Sequence, residues 1–329
     1  MDAVSAVWSR MTYSSAGSVL STTSANGNEF YVPNGYTSAT AYLENQGTPM
    51  NLCVFMDTSV PSGSTNTLYA MLSTPESRTQ AVSQILNELT TSYKAAGHNP
   101  YAGVTIDFEG LHSAAKSNFS AFLTELSQKL KAVGKPLYVC VSPVLTTGGY
   151  YDGYDYRTIG DLADKVILMA YDYDSRDLSG YVGTTYYKTT APAPIDQVYE
   201  SLKAITAPST GVRDVSKIAL GFSSKNTAWQ VDAQGKLLSA VPVYPTNDTV
   251  YQRLSQAGTV QGWSQNYQMP YATYTGSDGN SYFLWYDNAH SVQARLQLAK
   301  LFGVSGVSLW RMGNIPVWDS WSWQSLLHS

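Results

Sequence analysis

The chain has 329 residues, 43% of them hydrophobic and only 13% charged, with a formal net charge of −4. That length fits one large α/β domain or two ordinary ones, and the slight negative charge excludes the basic footprint of a nucleic-acid binder. No apolar run approaches a membrane span, while the 25 Tyr and 8 Trp among many neutral polar residues suit stacking on uncharged sugars, even if most such rings fill a core.

From the N-terminus, Val4–Trp8 is expected as a first strand, Gly17–Asn28 as a polar loop, Phe30–Val32 as a short second strand and Thr37–Glu44 as a helix. Asn51–Met56 is a compact apolar run ending at Asp57, the pattern of a buried parallel strand. Thr74 caps a helix with Pro75 in its first position; Ala81, Val82, Ile85, Leu86, Leu89 and Tyr93 recur at helical spacing, and Gly97 stops it. A second helix carries Phe119, Phe122, Leu123, Leu126, Leu130 and Val133, and Gly134 and Pro136 end it. Leu137–Val141 and Val166–Ala170 are strands, separated by a Gly148-Gly149-Tyr150-Tyr151 loop; a helix near Ile195–Ala207 leads to the strand Ile218–Phe222. Residues 223–284 break this rhythm with aromatics and turn signals, and read as a small β-rich insertion rather than a separate folding unit. Helical spacing returns at Ala289–Phe302, stopped by Gly303, before a last strand, Gly306–Trp310. Strand, helix, strand in alternation means parallel strands joined by right-handed crossovers. The pattern alone suits an eight-stranded barrel or a doubly wound sheet.

Tyr101–Gly110 organises the rest. Val104, Thr105 and Ile106 start a strand, and Asp107 and Glu109 follow two residues apart, so both carboxylates share one face with Thr105. Val104, Ile106 and Phe108 take the other face. Acids at the end of an apolar strand are costly to bury without a purpose, although a strand breaking into a polar loop gives the same letters.

This stretch resembles the signature of glycoside hydrolase family 18, the chitinase family: D-G-x-D-x-D-x-E at the end of the fourth strand of a TIM barrel. Gly103, Asp107 and Glu109 match; Ala102 and Thr105 replace the first two acids. Met169-Ala170-Tyr171-Asp172 is similar to the family's M-x-Y-D at the sixth strand, and Gly306–Trp310 to its eighth, where a tryptophan floors the site. Trp285-Tyr286-Asp287, followed by a helix through Ser291, Gln293 and Leu296, resembles bacterial members that act on spore cortex and cell wall.

The resemblance spans about residues 50–315 and implies an α/β fold: a (β/α)8 TIM barrel over 1–329 with an insertion at about 223–284, between strands seven and eight. It implies a retaining hydrolase of β-1,4 bonds next to N-acetylglucosamine, working through an oxazolinium ion formed by the substrate's own acetamido group. Two acids on one face of one strand, about 6–7 Å apart, suit that route better than a nucleophile opposite an acid. By resemblance, Glu109 is general acid and then base, Asp107 orients the acetamido group, Tyr171 bonds its carbonyl, Asp172 supports Tyr171, and Trp310 stacks under the sugar. Met169 is pocket wall. Tyr150, Tyr151, Trp229, Trp263 and Trp285 are candidates for a sugar cleft, Trp229 and Trp285 foremost because they border the insertion. The like charges of Asp107 and Glu109 are expected to hold one proton between them and so raise Glu109. Ala102 and Thr105 remove the acid relay that in chitinases helps the equivalent of Asp107 switch orientation, leaving Thr105 to donate a hydrogen bond to Asp107. Slow turnover, or a substrate other than crystalline chitin, fits that loss.

The expected ligand is an N-acetylglucosamine-containing polysaccharide, peptidoglycan or spore cortex first and chitin second. No cofactor is expected, and His98, His112, His290 and His328 lack metal-ligand spacing. Cys53 and Cys140 fall in strands and read as buried thiols. The chain starts polar, without a leader, and its surface suits a secreted or wall- or spore-associated monomer, a catalytic piece cut from its leader and any wall-binding modules. A lectin-like barrel that binds without cutting is the alternative, which the presence of Glu109 disfavours; a structural surface domain comes third.

Overall fold

The computed structural model of the chain describes residues 1–59, 66–91, 97–143, 152–223, 225–314 and 322–327. Tyr93, Tyr150, Tyr151 and His328 lie outside the described residues. The chain divides into two units, Met1–Leu168 with Ala204–Ile218, and Met169–Lys203 with Ala219–Ser329.

In the first unit, β1 (Val4–Ser14) folds back on β2 (Gly17–Ser21) as an antiparallel hairpin, Ser14 opposite Gly17. Gly17 adopts φ +104°, a conformation that side chains resist, and this closes the turn. The second strand is therefore Gly17–Ser21, inside the expected loop, and Phe30–Val32 is not a strand. Asn28 explains the latter: its side-chain amide donates to the Thr23 and Phe30 carbonyls at 2.9 and 2.7 Å, holding this stretch as a loop. After α1 (Tyr36–Asn45), β3 (Met50–Asp57) pairs parallel with β1. Two helices follow, α2 (Thr67–Ser73) and α3 (Pro75–Thr90). The short α2 shows no periodicity in the sequence; Asn66 caps it by accepting the Tyr69 N–H at 3.1 Å. Thr74 caps α3 as expected, accepting the Ser77 N–H at 3.2 Å, and Pro75 fills the first position. This helix ends at Thr90, short of Gly97, because Thr91 turns extended and its hydroxyl caps the Asn87 carbonyl at 2.6 Å.

β4 (Gly103–Glu109) runs parallel between β3 and β5 (Leu137–Val141). A Cβ at Gly103 would fall 2.5 Å from the Pro136 carbonyl oxygen, so only glycine lets this strand start so close to its neighbour. Val104, Ile106 and Phe108 are fully buried, Phe108 stacking on Phe122 at 5.3 Å and lying 6.0 Å from Phe119, both on α4 (Lys116–Ala132). Each such ring contributes about 1.5–3 kcal/mol through burial. α5 (Tyr156–Leu162), capped by Asp155, leads into β6 (Lys165–Leu168), parallel to β5.

α6 (Ile195–Ile205) and β7 (Ile218–Ser223) fall mostly in the second unit; β7 pairs parallel with β12 (Gly306–Trp310), and between these strands in the chain come β8 (Thr227–Val231), α7 (Asn247–Leu254), β9 (Val260–Ser264), β10 (Met269–Thr275), β11 (Ser281–Trp285) and α8 (Ala289–Leu301). The insertion is an antiparallel sheet in the order β8-β11-β10-β9. One apolar cluster there gathers Tyr187, Trp229, Met269, Phe283 and Trp285; another gathers Val250 with Ala272, Leu284 and Tyr286. A short α9 (Trp323–Leu327) packs Trp323 against Phe222 at 5.0 Å.

Asn288 and Ser291 form a reciprocal capping box at the start of α8. The Ser291 hydroxyl also donates to Asp287 at 2.6 Å, and the buried Arg295 guanidinium closes on the same carboxylate while lying 5.1 Å over Phe222. Removing one member of a buried ion pair strands the other charge. Asp287→Ala is expected to lower the unfolding free energy by about 3–5 kcal/mol in chemical denaturation; a loss below about 1 kcal/mol would show that Arg295 finds water instead.

Candidate active site

Parallel register sets the first group of residues. Cys53 of β3 lies opposite Thr105, Phe55 opposite Asp107 and Asp57 opposite Glu109; on the other side Tyr138 of β5 faces Thr105. Alternation then puts Cys53, Thr105, Asp107, Glu109 and Cys140 on one face. Asp107 is only 8% exposed, and its Oδ1 has no hydrogen-bond partner among the described residues. Burial first, and then the charge of Glu109, push the Asp107 carboxyl up to about 8, partly offset by a hydrogen bond from the Cys140 thiol. Both thiols are free and buried; burial and the neighbouring acids push them up as well, which keeps them as thiols. The Asp107 carboxyl is thus raised on this strand, with the neighbouring Glu109 charge as its second cause.

Thr105 does not donate to Asp107. Its hydroxyl pairs with Ser5 at 2.7 Å, because β1 supplies a partner that strand alternation within β4 could not reveal. The strand end is locked from outside the signature: Tyr154 donates to the Phe108 carbonyl at 2.7 Å, and Tyr156 to that of Ser142 at 2.7 Å. Next to Glu109, Asp57 pairs with Arg10 at 3.2 Å, and Arg10 lies over the Phe55 ring at 5.0 Å.

The second unit holds the other strand-end residues. Met169, Tyr171 and Asp172 follow β6 and are half-buried. Asp172 sits at φ 58°, a left-handed conformation that aspartate tolerates better than most residues. Burial pushes its carboxyl up, and Lys225 is the strongest opposing influence. Lys225 Nζ lies 3.0 Å from Asp174 Oδ1 and 3.8 Å from Asp172 Oδ2. At the end of β12, Trp310 stands in register with Ser223 and is 37% exposed, so its indole is open to a ligand.

The sequence model for glycosyl hydrolases family 18 matches residues 59–314. The chain belongs to glycosyl hydrolase family 18. It is 25% identical over 233 residues to the cortical fragment-lytic enzyme of Bacillus subtilis (strain 168), covering 70% of this chain and 50% of that one. Among solved structures, a chitinase from Chromobacterium violaceum superposes with a TM-score of 0.72 at 21% identity, covering 95% of this chain and 87% of the other. The spore cortex-lytic enzyme SleL of Bacillus cereus gives 0.65 at 20%, covering 86% and 60%. The chain spans about half the length of the curated relatives it matches. The fold class is the α/β (β/α)8 barrel implied by the signature, and the chain is a glycosidase related to spore cortex-lytic enzymes and chitinases.

Two expected sugar contacts of this family 18 chain need correction. Trp229 and Trp285 are 0 and 2% exposed, packed within the core of the insertion, and Trp285 donates its indole N–H to the Tyr187 carbonyl at 3.3 Å. Bordering the insertion placed both rings in its core rather than on an exposed surface. Trp263 stacks on His290 at 4.3 Å. Sequence reasoning missed Lys225, Asp174 and Tyr154; the signal available was a lysine just past the buried strand Ile218–Phe222, where barrel chemistry sits. Among the described residues no cluster of three His, Cys, Asp or Glu could hold a metal ion, and no helix is long and apolar enough to cross a membrane.

The raised Asp107 carboxyl carries a pH signature. Its folded pKa of about 8 exceeds its ordinary 3.8, so the folded state binds more protons between those values, and stability falls as pH rises through them. Asp107→Asn removes that slope. Relative to wild type, the variant is expected to gain stability from about pH 4 upward, by at least about 1 kcal/mol at about pH 8, and to level off above it. Thermal unfolding across that range measures it; parallel curves would refute the assignment.

Proposed function

We propose that this chain is a retaining hydrolase of β-1,4 bonds next to N-acetylglucosamine, acting on peptidoglycan or spore cortex, with chitin as the second substrate. One observation carries the reading: Asp107 and Glu109 share one face of one strand, and the inner acid is buried and readily protonated. Such a pair suits a substrate that brings its own nucleophile. The names of the relatives support cortex over chitin, and the exposed Trp310 ring supports sugar stacking.

In this reading the acetamido carbonyl oxygen bonds to the anomeric carbon as the glycosidic C–O bond breaks. Glu109 gives its proton to the leaving oxygen. Asp107 accepts a hydrogen bond from the acetamido N–H and offsets charge on the oxazolinium. Tyr171 donates to the acetamido oxygen, with Asp172 supporting it, while Met169 walls the pocket. Water then opens the ring, Glu109 takes its proton, and the configuration is retained. Thr105, engaged with Ser5, cannot relay a proton to Asp107, which favours slow turnover. We place the protein at the wall or spore, as a monomer that uses no cofactor.

Glu109→Gln is expected to lower turnover about 10²–10⁴-fold while leaving glycan binding intact. The assay uses a chromogenic N-acetylglucosamine oligomer, purified cell wall and cortex fragments, with products read by mass. Equal activity in the variant, or equal cleavage of glycans without the N-acyl arm, would sink the mechanism. Binding by wild type without release from any substrate would make the chain a lectin.

A further inference from the structure

The second unit contains a charge arrangement that the family signature does not include. Asp174 is completely buried at its side chain, yet both its oxygens are engaged: Oδ1 by Lys225 at 3.0 Å and Oδ2 by the Thr227 hydroxyl at 2.9 Å. Thr227 is itself fully buried. The Lys225 ammonium also lies 4.5 Å from the centre of the Tyr244 ring. Carboxylate and ring thus fix this cation where a free lysine would sweep through many rotamers. From there it reaches a second carboxylate, Asp172, at 3.8 Å, beyond direct hydrogen-bond length.

Asp172 needs that cation. Its Oδ1 is buried with no hydrogen-bond partner among the described residues. A buried carboxylate with an idle oxygen gains by taking a proton and losing its charge. The groups that face it are Lys225, Ser223 and Arg176, which favour the charged form, and Asp174, which opposes it; Tyr244 stands beyond Lys225. Of the charged neighbours, Lys225 has the largest influence.

We propose that Lys225 is a positioning residue for Asp172: anchored by Asp174 and laid on Tyr244, it keeps the carboxylate beside Tyr171 charged and in place while the site works. It touches no substrate in this account. Asp174 is the anchor and Thr227 satisfies the anchor's other oxygen. The activity arm of the test rests on the proposed glycosidase reading; the titration arm does not.

Lys225→Met removes the cation and leaves Asp174 uncompensated. The double variant Lys225→Met/Asp174→Asn is therefore made beside it, its new amide oxygen still able to accept from Thr227. Lys225→Arg is the rescue. Carboxyl NMR follows the titration of Asp172, and kcat/KM against pH is taken on the N-acetylglucosamine oligomer. The expected result is an Asp172 midpoint, and an acid limb of the profile, raised by about one pH unit or more in Lys225→Met. The double variant shifts in the same direction but less, and Lys225→Arg returns toward wild type. Near the acid limb this means about a tenfold loss that recovers as pH rises. An unmoved Asp172 midpoint in a folded Lys225→Met or double variant overturns the proposal, as does a loss equal at every pH. If wild type cuts no glycan, the glycosidase reading fails by itself, and the Asp172 titration still decides the role of Lys225.

Discussion

Burial of the Asp107 carboxyl is the constraint on which the rest of the site depends. A carboxylate withdrawn from water, with one oxygen unpartnered among the described residues, is costly in its charged form. The strand that carries it is accordingly held on both edges by parallel neighbours, at its start by the close approach of Gly103 to Pro136, and at its end by the Tyr154 hydroxyl on the Phe108 carbonyl. The side chains beside it are thiols and a hydroxyl rather than acids. Cys53 and Cys140, held as thiols, and the Thr105 hydroxyl add no competing charge.

The second unit meets the same problem in another way. Asp174, buried, and Asp287, half-buried, are acids kept near cations, Lys225 and Arg295; Thr227 donates to the other oxygen of Asp174, and Ser291 donates to the same Asp287 oxygen that Arg295 contacts. A cation close by favours the ionised form of a buried acid; without one, burial favours the protonated form. Asp107 follows the second course, while Asp174 has its cation at hydrogen-bond distance. Asp172 stands between them, half-buried and sharing a cation that is bound more tightly to another group.

Much of this is legible in the residues. The alternation of Val104, Ile106 and Phe108 against Thr105, Asp107 and Glu109 depends only on strand geometry, and tertiary packing has no means of altering it. The Thr74-Pro75 cap and the Asn288–Ser291 start of the last long helix are likewise local. Short elements are not legible: Thr67–Ser73, Tyr156–Leu162 and Asn247–Leu254 have too few turns to show a period, and are set by the caps at Asn66, Asp155 and Thr246. Gly17 reads as loop because a hairpin turn and a loop share composition until the strand partner is known. Trp229 and Trp285 mislead for a related reason: position along the chain says nothing of which face of a four-stranded sheet is covered.

The sequence by itself determined that two carboxylates share one face at the end of an apolar strand, that a tyrosine–aspartate pair and a tryptophan end two others, and that the strands are parallel, because these follow from periodicities of about two and 3.6 residues along the chain. Only the tertiary structure decided that burial raises Asp107, that Thr105 pairs with Ser5, and that Lys225 lies near both Asp172 and Asp174. Proton affinity and ion pairing depend on depth from water and on neighbours about 50 to 100 positions away, and no local pattern encodes either.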